Sequence, residues 1–343
     1  MSEYFASINY DVTILTFRPI DEDFFELSDK IKRVSLGFSP DDKNIKGVGY
    51  LKYNIFLLIK KLRTEIKNIN PDIIISGWTS TNCFVNLSLI GLKYKIINCE
   101  HIHYNSPSLT WKICRRVLYY LCNKVIVLTD NDYKCFNSWL PGRVEKIINP
   151  ITISNVIYKE KSIDKVKSIL AVGRLDKQKG FDLLINAIDL IKNELRNNGC
   201  IINIVGDGVQ KNTLKKQIEK NNLSDLIKLL PATKNISEIY NNSDLFILSS
   251  RYEGFGLVIT EAMSFGLPII SYDCPTGPRE ILNGGDFGVL VPPENIGRLS
   301  LSILNMINDK EEREFYHKQS LYRYKDYAIE KIGKKWVDLF DEI

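Results

Sequence analysis

The 343 residues include only three histidines and three methionines, and the seven cysteines (Cys83, Cys99, Cys114, Cys122, Cys135, Cys200, Cys274) contain no C-x-x-C pair. This excludes a zinc ribbon or a dithiol redox centre, and an odd, scattered set argues against a disulfide framework, so reduced and mostly buried thiols are expected. No stretch reaches the roughly 18 uninterrupted apolar residues of a membrane-crossing helix. The opening MSEYFASINYDV lacks the basic start, apolar middle and small-residue cleavage site of a secretory leader, which makes the cytoplasm the expected compartment. Internal repeats and low-complexity tracts are absent as well. A net charge of +5 is too mild for nucleic-acid binding. The charge is unevenly spread: residues 1–150 hold 20 Lys+Arg against 15 Asp+Glu, whereas residues 151–343 hold 26 of each. An anionic surface or acceptor is therefore expected at the first half.

What is present is an alternation of short β-branched runs with longer amphipathic segments. The runs VTILTF (12–17), IKRVSL (31–36), DIIISGW (72–78), YKIINC (94–99) and KVIVLT (124–129) form one series. SILAV (168–172), IINIV (201–205), LIKLL (226–230), DLFIL (244–248), LPIIS (267–271) and GVLV (288–291) form another. Strand-helix alternation predicts parallel sheets with crossover helices, and two series predict two doubly wound α/β domains. The length agrees with two cores of roughly 150 residues each. The polar segment from Pro150 to Lys167 is the expected linker, giving domains 1–152 and 153–331. Tyr4, Phe5 and Ile8 fall on one face of an expected opening helix, so the first domain is expected to begin with a helix rather than a strand.

Three segments of the second half carry the chemistry. After strand 168–172 comes GRLDKQKGF, with Gly173 in a tight turn, Arg174 at the strand's carboxyl end and Lys179 near a helix start. An arginine fork and a lysine point charge at a switch-point crevice can hold a diphosphate, each contact contributing about 1.5–3 kcal/mol; two solvated helix-start residues fit the same pattern. In SSRYEGFGLVITEAMSFGLP, Glu253 precedes the Gly254-Phe255-Gly256 turn, and a helix is expected over 257–265. The glycines allow close backbone approach, and the bare amides of Gly256, Leu257 and Val258 at the helix start favour a phosphate. Glu261, one turn into that helix, suits the hydroxyl pair of a ribose, and Glu253 would lie nearer a transferred group. The bland alternative is two surface glutamates around a turn. IVGDGV (204–209) places Gly206 and Gly208 in a strand-to-helix turn near the same crevice, a weak signal alone. CPTGPREI (274–281) reads as a rigid turn that shapes the crevice, with Arg279 a surface ion-pair residue and Glu280 unassigned.

In the first half, NCEHIHYN ends a strand with Glu100, His101 and His103. Residues two apart share a strand face, so the histidines could bind a metal, but no third ligand stands at metal spacing. A single histidine at the end of a central strand suits hydrogen bonding to a sugar or proton transfer better, and His101 is preferred to His103. Asp130-Asn131-Asp132 has the D-x-D shape of a cation site and equally that of a helix N-cap, the preferred reading; Asp21 and Asp23 carry less weight. Basic amphipathic runs at 50–67 (Lys52, Lys60, Lys61, Arg63, Lys67) and 111–124 (Lys112, Arg115, Arg116 with Trp111, Leu118, Tyr119) can rest on an anionic membrane or pack between layers with a basic outer face.

The ordered set VGRLDKQKGFDLL, IVGDG, SSRYEGFGLVITEAMSFGLP and CPTGPREI, covering nearly all of 168–292, resembles the family 4 retaining glycosyltransferases of the GT-B fold. EHIH and VEKIINPI resemble that family's cleft histidine segment and interdomain boundary. The resemblance implies two Rossmann-like domains facing a cleft, with the donor held by the C-terminal one and an acceptor by the N-terminal one. It places Arg174 and Lys179 on the diphosphate, Glu253 on the donor sugar, Glu261 on the ribose and His101 on the reacting sugar. Segment 332–343 looks like the family's helix that crosses back to the first domain. Two departures stand out. Members usually begin with a strand and a Gly-Gly turn, which this sequence lacks, and Pro231 follows LIKLL where a glycine is common. The expected activity is retaining transfer of a hexose or N-acetylhexosamine from a nucleotide diphosphate sugar, UDP first among them, to a saccharide acceptor. No metal or other cofactor is expected. The basic first half suggests a lipid-linked acceptor at the inner membrane face, as in bacterial surface-polysaccharide assembly. Two rivals stay open: a glycosidase with Glu253 and Glu261 as its carboxylate pair, and a non-catalytic sugar-nucleotide-binding subunit.

Overall fold

The computed structural model describes residues 1–22, 27–37, 48–151, 153 and 164–343. The chain divides into two compact units, one formed by residues 1–128, 132–150 and 329–343, the other by 129–131 and 151–328.

The first unit runs α1 (Ser2–Ser7), β1 (Val12–Thr16), β2 (Ile31–Ser35), α2 (Val48–Ile69), β3 (Ile73–Gly77), α3 (Thr79–Ser88), β4 (Lys95–Cys99), α4 (Leu109–Leu118), β5 (Lys124–Val127), α5 (Asp130–Asn137) and β6 (Val144–Lys146). β3, β4, β5 and β6 form a parallel sheet in that order, and β1 with β2 forms a separate parallel pair. Side chains alternate between two layers, as the two-residue period of a strand requires. Leu15, Ile74, Ile96, Val125 and Val127 enter one apolar cluster with α2, α3 and α4. Val12, Ile73, Ile97 and Ile126 enter the other with Phe5. No strand precedes β1 among the described residues, and the chain opens on α1. Phe5 is buried there, whereas Ile8 lies past the helix end and is exposed.

The second unit runs β7 (Ser168–Val172), α6 (Phe181–Leu190), α7 (Lys192–Asn198), β8 (Ile201–Val205), α8 (Lys211–Lys220), β9 (Ile227–Leu230), α9 (Ile236–Asn241), β10 (Leu245–Leu248), α10 (Leu257–Ser264), β11 (Ile269–Tyr272), α11 (Pro278–Ile281), β12 (Val289–Val291), α12 (Ile296–Asn308) and α13 (Lys310–Arg323). Its six parallel strands are ordered β12-β11-β10-β7-β8-β9. Near-continuous apolar strands such as SILAV, IINIV and LFIL suit a sheet covered on both faces. Ile169, Ile202, Ile204 and Ile247 pack against Leu184, Ile188, Leu214, Leu299 and Ile303. The winding reverses between β7 and β10, so the loops after these two strands open on the crevice where ligands bind such sheets.

The last helix, α14 (Ile329–Glu342), belongs to the first unit. Ile332, Trp336 and Leu339 pack on the Phe5 side of the sheet, and Lys124 Nζ on β5 bonds Glu342 Oε1 at 2.7 Å. Gly333 is the close-approach point, since a Cβ there would overlap the Tyr4 ring.

Candidate functional site

The loop after β7 runs on beside the end of β8. Gly173 N–H donates to Val205 O, and the missing Cβ of Gly173 leaves room for the Lys179 side chain, which lies against it. Asp176 accepts from Lys179 N–H and caps the single turn Lys177–Lys179. Gly180 then takes a left-handed conformation (φ 63°), where a Cβ would overlap Ser249 O on the neighbouring loop. This close approach joins the two switch-point loops. Ser249 Oγ donates to Lys179 O at 3.0 Å, Gln178 Nε2 to Tyr252 O at 3.0 Å, and Arg251 is bidentate on Asp182 at 2.7 and 2.8 Å.

Glu253 and Lys179 meet at the centre of this seam. Lys179 Nζ donates to Glu253 Oε1 at 2.7 Å, and Ser250 Oγ donates to the same oxygen at 2.6 Å. Both charges are withdrawn from water, with 14% of the lysine side chain and 6% of the glutamate exposed, so their attraction is screened far less than at an open surface. Arg174 differs: its side chain is 73% exposed and pairs with Asp176 at 3.2 Å and Gln178 at 3.3 Å. The structure thus brings Lys179 to Glu253 and leaves Arg174 at the solvent-facing end of β7.

The turn Gly254-Phe255-Gly256 leads into α10. Phe255 is buried and meets Tyr327 edge to face, and Gly256 caps the helix with φ 97°. Leu257 and Val258 open α10, each half-buried. Glu261 follows one turn on, and one of its oxygens accepts from the Tyr240 hydroxyl at 3.0 Å. Tyr240 is fully buried, and burial, with Glu261 beside it, raises its phenol well above the ordinary range. Glu253 thus bonds Lys179 and Ser250, and Glu261 bonds Tyr240. Gly206 and Gly208 allow backbone contact with the β7 loop, where a Cβ would overlap the backbones of Gly173 and Leu175 respectively.

Ser250 and Tyr240 carried no signal of their own in the sequence, and the bonds of the CPTGP turn came only with the fold. Thr276 Oγ1 donates to Glu253 O at 2.6 Å, and a Cβ on Gly277 would overlap Phe255 O, so the CPTGP turn braces the glutamate-bearing turn directly. Ser250, Tyr240 and Thr276 are generic residue types that only the fold places beside the carboxylates. The two prolines around Thr276-Gly277 were the one available hint. Arg279 pairs with Asp273 at the surface, as its sequence context suggests. All seven cysteines are free and five are buried; burial pushes the Cys274 thiol, close to Glu253, up to about 12.

In the first unit, His101 follows β4 with its ring against Gly77, and the Trp78 ring centroid lies 6.1 Å away. Burial lowers its pKa below the usual 6.5, which favours the neutral imidazole at pH 7. His103 Nδ1 accepts from Asn105 N–H within its own loop. Among the described residues no group of three or more His, Cys, Asp or Glu is arranged to hold a metal. Asp132 lies in the first turn of α5, buried, and accepts from Tyr104 N–H at 3.0 Å. Asp23 lies outside the described residues, as does the side chain of Lys52.

The residue before His101 belongs to a buried polar cluster that the sequence did not reveal. Glu100 is buried and accepts from Tyr119 Oη at 2.5 Å and Thr79 Oγ1 at 2.8 Å, with Arg115 Nη1 4.0 Å away. Burial pushes its carboxyl up to about 7, against the pull of these donors. Arg115 stacks over Tyr104 and Phe136, so one cation expected on the outer face of the 111–124 run is interior instead. Arg115 Nη2 donates to Tyr104 O at 3.1 Å, while Nη1, facing Glu100, makes no hydrogen bond, so the aromatic faces and the nearby carboxyl are what the buried cation meets.

Residues 154–322 match the family model described as Glycosyl transferases group 1. The chain is 28% identical to the amylovoran biosynthesis glycosyltransferase AmsD of Erwinia amylovora, over 99% of this chain and 93% of that one. It is 27% identical to a Campylobacter jejuni alpha-1,4-N-acetyl-D-galactosaminyltransferase acting on a diNAcBac-PP-undecaprenol-linked saccharide, covering 97% and 91%. Among solved structures, sucrose-phosphate synthase from Thermosynechococcus elongatus is similar at a TM-score of 0.83 with 18% identity, over 99% of this chain and 91% of that one. Anabaena HepE in complex with UDP and glucose is similar at a TM-score of 0.75 with 18% identity, covering 92% and 87%. These structures share the α/β fold of two doubly wound domains known as GT-B.

Proposed function

From membership of the glycosyl transferases group 1 family, established through residues 154–322, we propose that the chain transfers a hexose or N-acetylhexosamine from UDP to a saccharide with retention at the anomeric carbon. The observation that carries this reading is the buried Lys179–Glu253 bond at the switch point between β7 and β10, beside the glycine-capped start of α10.

In the reaction, the acceptor hydroxyl oxygen forms a bond to the anomeric carbon as the bond from that carbon to the β-phosphate oxygen breaks. The diphosphate leaves with the electron pair, and the acceptor proton passes to a leaving-phosphate oxygen. Lys179 keeps two further N–H donors beyond its bond to Glu253, and Arg174 is exposed enough to turn toward a phosphate. Two cations and the amides of Gly256, Leu257 and Val258 would stabilise the growing negative charge without a metal. Gly173, Gly208 and Gly254 allow backbone approach to the donor. Glu253, fixed by Lys179 and Ser250, would accept from donor-sugar hydroxyls. Glu261, whose carboxylate accepts from the Tyr240 hydroxyl, would accept from ribose hydroxyls. His101, neutral at pH 7, would hydrogen-bond the reacting sugar.

The UDP assignment draws on the HepE complex, and the placing in bacterial surface-polysaccharide assembly on the names of the Erwinia and Campylobacter relatives. The undecaprenol diphosphate in the Campylobacter name, with the cationic first half, supports a lipid-linked acceptor at the inner membrane face. Calorimetry with UDP and a panel of UDP-sugars, followed by product analysis on lipid extracts, tests the reading. Saturable UDP binding with transfer of one sugar is expected; no nucleotide binding by the intact chain would overturn it.

A further inference from the structure

Trp78 stands in a backbone conformation that suits glycine. With φ 72° and ψ 135° its Cβ crowds the main chain, and a bulky residue is rarely found there. The segments on either side hold it in place. Gly77 pairs with Cys99 in the β3–β4 register, and Trp78 N–H donates to Cys99 O at 3.2 Å. Asn82 N–H of α3 donates to Trp78 O at 2.9 Å, and Thr79 Oγ1 donates to the buried Glu100 carboxyl at 2.8 Å. This clamp fixes the backbone, yet the indole itself does little packing. It is 56% exposed and joins neither of the apolar clusters on the two faces of this sheet, whereas Trp111, Trp139 and Trp336 all pack in them. Strain held by its surroundings beneath an exposed side chain points to a task for that side chain.

The ring lies at the carboxyl edge of the parallel sheet, where ligands meet doubly wound folds. Its neighbour is His101: the two ring centroids are 6.1 Å apart and their planes are tilted by 51°. The imidazole lies against Gly77, where a Cβ would stand 3.2 Å from its Cδ2 and Nε2, so the glycine before the tryptophan lets the histidine in. An indole face beside an imidazole offers an apolar plate with a hydrogen-bonding edge. A pyranose has the matching surface, with C–H groups on the face of the ring and hydroxyls around its rim. Stacking removes that face from water and leaves the rim free to hydrogen-bond.

We infer that Trp78 is an acceptor-binding residue whose indole stacks on the C–H face of a pyranose ring, the sugar that supplies the attacking hydroxyl, with His101 at that ring's rim. That this sugar is the acceptor rests on the transfer reading, in which His101 meets the reacting sugar and the attacking ring must lie directly beside it. That the indole stacks a sugar at all does not rest on it. The tryptophan then selects an acceptor ending in a pyranose with an unobstructed face over one ending in an open-chain polyol.

The test is saturation-transfer NMR on the intact chain without nucleotide. The probes are the methyl α-pyranosides of glucose, galactose, N-acetylglucosamine and N-acetylgalactosamine, with ribitol as the open-chain control. At least one pyranoside should be saturated most strongly at the C–H protons of one ring face, and ribitol should not. Trp78→Ala and Trp78→Gly should each weaken the signal about fivefold or more, and Trp78→Phe should keep it within about twofold. The glycine variant should unfold at higher denaturant than the alanine variant, because glycine is unstrained at this φ. A shared loss of the sugar despite that difference ties it to the indole and not to folding. UDP affinity by calorimetry should match the parent in all three variants. The proposal is overturned if the parent saturates no pyranoside, if the alanine and glycine variants keep its signal, or if UDP affinity falls with the indole, which would assign the ring to a base. A parent that takes a pyranoside but no UDP leaves the stacking site standing and sinks the transfer reading, and one that takes UDP but no pyranoside does the reverse.

Discussion

Glu253 and Glu261 stand on either side of one glycine turn, yet their partners give them different work. Glu253 shares an oxygen with Lys179 and Ser250, so its replacement disturbs the place where a sugar and a diphosphate would meet. Glu253→Gln keeps the shape and removes the charge; UDP affinity should stay within about threefold while transfer falls roughly 10- to 100-fold, the scale of one charge-assisted hydrogen bond. Glu261→Ala should instead weaken UDP itself by about tenfold or more, read by calorimetry. Tyr240→Phe should give a smaller loss in the same direction, because it frees the carboxylate that the hydroxyl orients. If both glutamate variants bind UDP like the parent, the division of roles is wrong. The glutamates and Lys179 were legible because a glycine-punctuated turn exposes them in sequence. Tyr240 was not, because a lone Tyr carries no pattern and only contact across the sheet end gives it a partner.

At the scale of elements, the loop after β10 is joined to the loops after β7 and β11 where backbone touches backbone. Gly180 and Gly277 both have positive φ and both face a carbonyl that a Cβ would overlap. Gly180→Ala and Gly277→Ala should each lower stability by about 1–3 kcal/mol, through strain and forced displacement of a main chain that cannot move as a side chain does. Chemical denaturation with UDP protection measured alongside checks this; parent-like midpoints would show that the loops yield to a methyl group without cost. Gly333→Ala needs only the Tyr4 ring to move and should cost less. The strand series was readable from β-branched runs to within one or two residues at each end. β6 was not, since Val-Glu-Lys is three residues long with one apolar side chain, and its pairing to β5 alone makes it a strand. The basic run 111–124 was readable as amphipathic, but its sorting into a buried Arg115 and an exposed Arg116 depended on where Glu100 sits.

Across the whole molecule, the buried Glu100 links stability to pH. Its carboxyl titrates near 4.5 in an unfolded chain and is pushed up to about 7 in the folded one. Between those values the folded protein keeps a proton that the unfolded chain releases, so this contribution to stability is full at low pH and is lost as pH rises toward about 7. Denaturation midpoints across that window should fall with rising pH, and Glu100→Gln, which has no proton to lose, should flatten the slope; an unchanged slope would assign the dependence elsewhere. The sequence by itself determined the two series of parallel strands, the glycine-framed turn before α10 and the cationic bias of the first half. Each is a local pattern of period, backbone freedom or charge that survives without knowing what folds against what. Only the tertiary structure decided which residues hold the glutamates and which arginine is swallowed. Those depend on contacts between segments tens of residues apart, where burial selects among side chains that look alike along the chain.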